Sequence, residues 1–261
     1  MAFDTPVHMI LRRLDLAQAC LFVDLDGTIA EIRPRPGDVK PDPKRTGLML
    51  DACERMAGRV AVISGRPIRE VDHILDKACI SVAGLHGLER RTSQGEVQAW
   101  TAHPAVASAT EAFEAFAAAR PGLFVEAKGQ SVALHYRAAP KAEAAVRELA
   151  ARLAEASGLD FLPGSMVAEL RTPGADKGTA VLSFLRETPF KGALPVFLGD
   201  DQTDEAAFRA VAARDGIGVL VGEARRTAAK ARLPSPRAVR GWLGGALRTG
   251  AFDLKELEWL D

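Results

Sequence analysis

The sequence lacks an excess of charge of either sign. Lys and Arg total 34, Asp and Glu also total 34, and the formal net charge is +0. Bulk charge therefore gives no reason to expect a nucleic-acid or membrane partner, and any phosphate site has to be a local feature. Cysteine is scarce too. Cys20, Cys53 and Cys79 are odd in number, far apart and set in apolar sequence, with no Cys-x-x-Cys pair. A disulfide framework is excluded on that count, and buried reduced thiols in a cytoplasmic protein are expected. The opening stretch MAFDTPVHMILRRLD has an early Asp and no long apolar run, so it reads as neither signal peptide nor membrane anchor. What is present is ordinary for a soluble globular protein: 261 residues, 48% apolar and 26% charged, enough for one large domain or two moderate ones.

Short apolar runs alternate with helix-period segments in the first third. ACLFVDL, RVAVIS and ISVAGL read as strands, with PKRTGLMLDACERMA and PIREVDHIL as helices between them. Continuously apolar strands separated by helices predict a parallel sheet covered on both faces. The last third repeats the pattern, with KGTAVLSFLRE and TDEAAFRAVAA as helices and LPVFLGD and GIGVLVG as strands. The middle differs. A helix and two strands (AVASATEAFEAFAAA, LFVEAK, SVALHYR) are followed by the same order again (KAEAAVRELAARLAEAS, LDFLPG, MVAELR). Short strand-to-strand links imply antiparallel pairing. The fold class expected is α/β, a doubly wound and mainly parallel sheet core with an inserted, smaller α+β cap. The core is placed at residues 1–102 and 173–261 and the cap at 103–172, with a cleft between them. The end of the chain, which carries Trp242 and Trp259, is expected to pack on the core.

In LFVDLDGTIAEIRPRP an apolar run ends in Asp24 and Asp26. Side chains two apart in a strand share a face, so the two charges would crowd one spot unless something cationic compensates them. Asp-Gly is also a hairpin signal, but the three prolines that follow do not suit a returning central strand. A second acidic cluster, FLGDDQTDEAAF, brings Asp200 to the end of another strand, while helix capping accounts for some of its neighbours. Two strands ending in carboxylates can share a hard cation, and Mg2+ is the common choice beside phosphates. RVAVISGRP adds Ser64 at a third strand end, either a plain Ser/Gly turn or part of an anion cradle. Lys177 opens a helix, where a cation opposes the dipole; it is either a solvated lysine or a functional one. Together these four pieces read as a phosphoryl-transfer site. Asp24 is the expected nucleophile and Asp26 the expected proton donor and acceptor, with Lys177, Ser64 and Mg2+ balancing charge.

DLDGT, the Ser64 strand end, Lys177 and GDDQTDE stand in the order of the four motifs of the haloacid dehalogenase superfamily, which the chain resembles. The resemblance implies a metal held by Asp24, Asp200 and the backbone carbonyl of Asp26, with Asp204 supporting and Asp201 and Thr203 shaping the site. AVISGRP, GLHGLERR, VEAKGQSVALHYRAAP, AELRTPGADKG and FLGDDQTDEAAF resemble, more narrowly, the trehalose-6-phosphate phosphatase family. That likeness implies sugar contacts from the cap at Glu126, Lys128 and Glu169. It also implies a core loop facing the cap at His86 and Gly87, and substrate contacts at Gly65 and Arg66. His135 and Arg137 lie two apart in a strand and share a face, where they bind substrate or brace the cap. Leu85 and Leu88 stand where smaller residues are frequent in that family. The expectation is a monomeric, cytoplasmic phosphatase of a small sugar phosphate, trehalose 6-phosphate first. Sucrose phosphate and mannosylphosphoglycerate are alternatives, and a non-catalytic phosphosugar-binding regulator is the alternative of a different class.

Overall fold

The protein is described here by a computed structural model covering residues 12–260. Most of the opening segment discussed above therefore lies outside the described residues. No described helix is long and apolar enough to cross a membrane.

In chain order the elements are β1 (Arg13–Asp15), β2 (Ala19–Val23), α1 (Pro43–Arg55), β3 (Val60–Ile63), α2 (Ile68–Leu75), β4 (Ser81–Gly84), β5 (Glu89–Arg91) and β6 (Val97–Ala99). Then come α3 (Ala105–Ala118), β7 (Phe124–Ala127), β8 (Ser131–His135), α4 (Glu143–Ser157), β9 (Asp160–Gly164) and β10 (Val167–Arg171). The chain closes with α5 (Lys177–Phe184), β11 (Leu194–Gly199), α6 (Glu205–Ala212), β12 (Ile217–Val221), β13 (Ala231–Leu233), α7 (Pro236–Thr249), β14 (Ala251–Asp253) and β15 (Glu258–Trp259).

The large sheet runs β15-β13-β12-β11-β2-β3-β4-β5-β6 and is parallel from β13 to β4. Its central strands are buried on both faces, and alternate residues enter two different cores. Leu21 and Val23 of β2 pack with Val60, Val62 and Leu198 on one side. Cys20 and Phe22 pack with Ala61, Ile63 and Phe197 on the other. This is why the runs are apolar without alternation. Phe22 stacks on Phe190 at 5.4 Å and meets Phe184 at 6.2 Å, which anchors α5 against the sheet. Truncating so large a buried ring to alanine costs about 3–5 kcal/mol. The chain goes from β2 to β3 in one direction across the sheet and from β11 to β12 in the other. A crevice is left at the carboxyl ends of β2 and β11, the place where open α/β sheets bind ligands.

The second sheet, β7-β8-β10-β9, is antiparallel throughout. The two helix-strand-strand units meet at β8 and β10, and a separate core unites them, with Val132, Leu134, Ala168 and Leu170 beneath Val106, Phe113 and Val146 of α3 and α4. Only one face of this sheet carries helices. The other, bearing Glu126, His135 and Glu169, looks toward the crevice. At the end of the chain α7 packs on α1, and Trp242 is buried against Phe252 at 4.7 Å. Trp259 is partly exposed in the edge strand β15.

Candidate active site

β2 stops at Val23, and Asp24 continues the register far enough for its amide to donate to the Leu198 carbonyl of β11. Its carboxylate is buried and lies 2.8 Å from Lys177 Nζ. The crowding of Asp24 and Asp26 expected from the sequence is eased, since the two carboxylates face different cations, Lys177 beside Asp24 and Arg66 beside Asp26. Asp26 is gripped from two sides by Arg66, Nε to Oδ2 at 2.6 Å and Nη2 to Oδ1 at 2.9 Å. Glu70, one helical turn further on α2, holds the other end of that guanidinium at 3.2 Å. Arg66 is thus engaged by protein, and a substrate contact from it would use what donors remain.

Lys177 is not a solvated lysine. Asp176 caps α5 by accepting from the Thr179 amide, and the next side chain, Lys177, turns inward to full burial. Its ammonium bridges Asp24 and Asp204, the second at 2.7 Å. Burial works against that charge, but the Asp204 and Asp24 carboxylates outweigh it and raise the lysine pKa. Asp204 is fully buried: Oδ1 takes Lys177, and Oδ2 takes the amides of Asp200 and Asp201. With both oxygens engaged, it braces the loop instead of offering a free ligand atom.

Asp200 ends β11 facing Asp24. One oxygen each of Asp24, Asp200 and Asp204 lie within 4.8 Å of one another. Burial and the charge on Asp24 push Asp200 up to about 9, and burial pushes Asp24 up to about 7 with Lys177 pulling the other way. One lysine does not compensate these carboxylates. Gly27 makes room for the arrangement. Its φ is +80°, and a Cβ there would fall 2.0 Å from Asp200 Oδ2. Thr28, fully buried, donates to Asp200 Oδ1 at 3.3 Å. A cradle of oxygen ligands with a charge deficit fits a divalent cation.

Ser64 follows β3. Its amide is used in the sheet and its Oγ accepts from the Arg66 amide, so the hydroxyl proton is the donor left to the cleft. The wider cradle of free amides expected there is reduced by these two bonds. Gly65 has no side chain because His86 lies against it: a Cβ would sit 2.6 Å from the imidazole. Leu85 and His86 both have φ near +50°, and His86 is buried, which lowers its pKa. Gly87 completes this loop against Asp176 with a φ of +103°. The leucines at 85 and 88, unusual for the resemblance, are buried with Ala175 in a small core under the loop.

The antiparallel sheet reaches in from the other side. Lys128 Nζ lies 3.1 Å from Glu169 and 3.4 Å from the Gly65 carbonyl, and Glu169 is 3.8 Å from His86 Nε2. Burial disfavours the Glu169 carboxylate, but Lys128 and His86 outweigh it and hold its pKa well below the usual range. Glu126 pairs with His135 at 2.9 Å, and Arg137 donates to the Ser165 carbonyl. Asp24, Asp26, Ser64, Lys177 and Asp200 thus share one cleft of about 210 Å³ with Glu126, Lys128, His135 and Arg137, and Asp201 and Thr203 lie on its wall.

A trehalose-phosphatase family model matches residues 22–237. The chain belongs to the trehalose-phosphatase family. It is 39% identical over 230 residues to trehalose-6-phosphate phosphatase of Escherichia coli K12, covering 87% of this chain and 86% of that one. It is 37% identical to trehalose-phosphate phosphatase of Mycolicibacterium paratuberculosis, of which it covers 59%. Among solved structures, a trehalose-6-phosphate phosphatase related protein superposes with a TM-score of 0.74 at 26% identity, covering 89% of this chain and 98% of that one. The Candida albicans trehalose-6-phosphate phosphatase C-terminal domain shares the fold at a TM-score of 0.79, 22% identity and coverage of 89% and 93%.

For this trehalose-phosphatase family member, several residues in or behind the cleft carry no role that the sequence signals. Thr28 stood inside a quoted motif, but nothing in the spacing told that it would reach Asp200. Glu70, which steadies Arg66, was visible only as a polar helix position. Arg33 and Arg35 also line the cleft, from the proline-containing segment that does not suit a returning strand.

Proposed function

We propose that this chain hydrolyses trehalose 6-phosphate to trehalose and inorganic phosphate, with Mg2+ as cofactor and residues 103–172 acting as the cap that reads the sugar. The observation that carries the reading is a single cleft holding Asp24 against Lys177 on one side and Glu126 and Lys128 on the other, with Glu169 buried behind Lys128. The family's relatives named above carry the same activity in their names.

The chain's own residues suffice to assign roles. Asp24 attacks phosphorus, and the ester oxygen leaves as an alkoxide that Asp26 protonates, held in orientation by Arg66. Asp26 then takes a proton from the water that cleaves the aspartyl-phosphate. Lys177 and the Ser64 hydroxyl hold phosphoryl oxygens. Asp24, Asp200 and the Asp26 carbonyl would hold Mg2+, which supplies charge neutralisation between an anionic nucleophile and an anionic substrate. Glu126 and Glu169 accept sugar hydroxyls, and a site built for hydroxyls discriminates sharply against analogues lacking them.

Phosphate release from a panel of sugar phosphates, with Mg2+ and then with the metal chelated, tests this. Metal-dependent turnover of trehalose 6-phosphate far above the others is expected. Preference for another sugar phosphate discards the substrate and keeps the chemistry. Binding without any release would mean a regulator.

A further inference from the structure

Most cations of the cleft are engaged by the protein itself. Lys177 is held by Asp24 and Asp204, Arg66 by Asp26 and Glu70, Lys128 by Glu169, and Arg137 by the Ser165 carbonyl. Arg33 and Arg35 differ. Both are exposed on the cleft wall, and neither guanidinium makes a hydrogen bond or ion pair to any described residue.

Their segment is not a loose loop. Pro34 and Pro36 alternate with the two arginines and fix φ at every second position. The Pro36 carbonyl accepts from Arg66 Nη2 at 2.9 Å, the nitrogen that also donates to Asp26. The arm is therefore pinned to the group that orients Asp26, and its two free guanidiniums are presented from a pre-ordered backbone. Pre-ordering lowers the entropy lost when such donors bind a ligand. Beyond Arg35 the cleft opens into a groove of about 490 Å³ between Pro36 and Val39 on the core side and Phe124 and Glu126 on the sheet of the cap. That is room for a part of the substrate away from the reacting phosphate.

We propose that Arg33 and Arg35 are specificity residues, donating guanidinium N–H groups to hydroxyl oxygens of the sugar ring remote from the phosphate. This deepens the trehalose 6-phosphate reading and rests on it. The cap then offers the Glu126 carboxylate as an acceptor, while the core arm adds donors that reach hydroxyls the cap does not.

The test compares Arg33→Ala, Arg35→Ala and the double variant with wild type on trehalose 6-phosphate and on p-nitrophenyl phosphate. Melting curves confirm that each variant is folded. The double variant is expected to lose about tenfold or more in kcat/KM on the disaccharide phosphate, mainly through KM. It should stay within about twofold on the aryl ester, which has no remote ring. An equal loss on both substrates would place the arginines on the phosphate and overturn the assignment. Unchanged kinetics on both would overturn it as well. A wild type that cleaves the aryl ester and not trehalose 6-phosphate would defeat the functional reading, and this inference with it. That result differs from an active wild type with silent variants, which defeats this inference alone.

Discussion

Gly27→Ala separates the geometry of the acid cluster from the stability of the fold. At a φ of +80° an alanine costs roughly 1–2 kcal/mol in backbone strain alone. The added methyl would stand 2.0 Å from Asp200 Oδ2 and 2.4 Å from its Cγ, far inside ordinary contact. The neighbour that has to give is a carboxylate already disfavoured by burial, so it turns away more readily than the backbone moves. Relief to ordinary contact displaces the Asp200 oxygens by about 1 Å or more, and misplacement on that scale costs on the order of 100-fold in rate. Steady-state phosphate release should therefore fall by about two decades and need more Mg2+ to saturate. The melting temperature should drop only by about 2–8 °C, as a strain of 1–2 kcal/mol implies for a chain near this size. Gly37→Ala is the control, because nothing lies within 4 Å of a Cβ there. A Gly27→Ala enzyme within threefold of wild type, at ordinary metal concentration, would refute the placement of Asp200.

Asp24→Asn should abolish turnover, by about 10⁴-fold or more, while circular dichroism stays native, because it replaces the nucleophile with an isostere; residual activity near wild type would sink the mechanism. Lys177→Met should cost about 3–5 kcal/mol of stability as well as activity, since Asp24 and Asp204 are left buried without their shared cation; an unchanged denaturation midpoint would contradict that burial. Glu126→Ala should damage turnover of the disaccharide phosphate more than that of a small aryl ester, and equal losses would mark a structural role. Glu169 is depressed below 4.5 in the folded state, so its ionic contribution is present above pH 4.5 and is lost as pH falls from there toward its folded pKa. The melting-temperature gap between wild type and Glu169→Gln should accordingly narrow on acidification from pH 6 to pH 3; a gap that widened would reverse the assignment.

The strands of both sheets were legible because their patterns have simple physical causes. A buried parallel strand has no polar face, so ACLFV and VAVI stood out as continuous runs. The repeated helix-strand-strand unit was legible from its turns and from the Phe and Val spacing of α3 and α4. The edges were not. β5, β6, β13 and β15 are two or three residues long, too short for a period of two to show in the sequence. At the site, Asp24, Lys177 and Asp200 were readable because each breaks a local rule about charge. Thr28, Glu70 and the Arg66–Asp26 grip break none. They follow from tertiary closeness, and the sequence marks them only as polar residues near a motif.

The same distinction says why the cap sheet has one bare face. A four-stranded antiparallel sheet with helices on both sides would bury more apolar surface, yet here β7, β8 and β10 carry Glu126, Ser131, His135 and Glu169 on the side without helices. Buried charges stabilise a fold poorly, since desolvation consumes most of what their pairing returns. Glu169 is buried and Lys128 half-buried all the same, and they meet the Gly65 carbonyl and His86, the loop behind Ser64. A core chosen for stability alone would not place them there. Their position makes sense if the two sheets must recognise a polar ligand together, with the phosphate held by strand ends of one and hydroxyls held by the open face of the other. On the proposed function, the charge that weakens the cap as a folding unit is what would let it read a sugar.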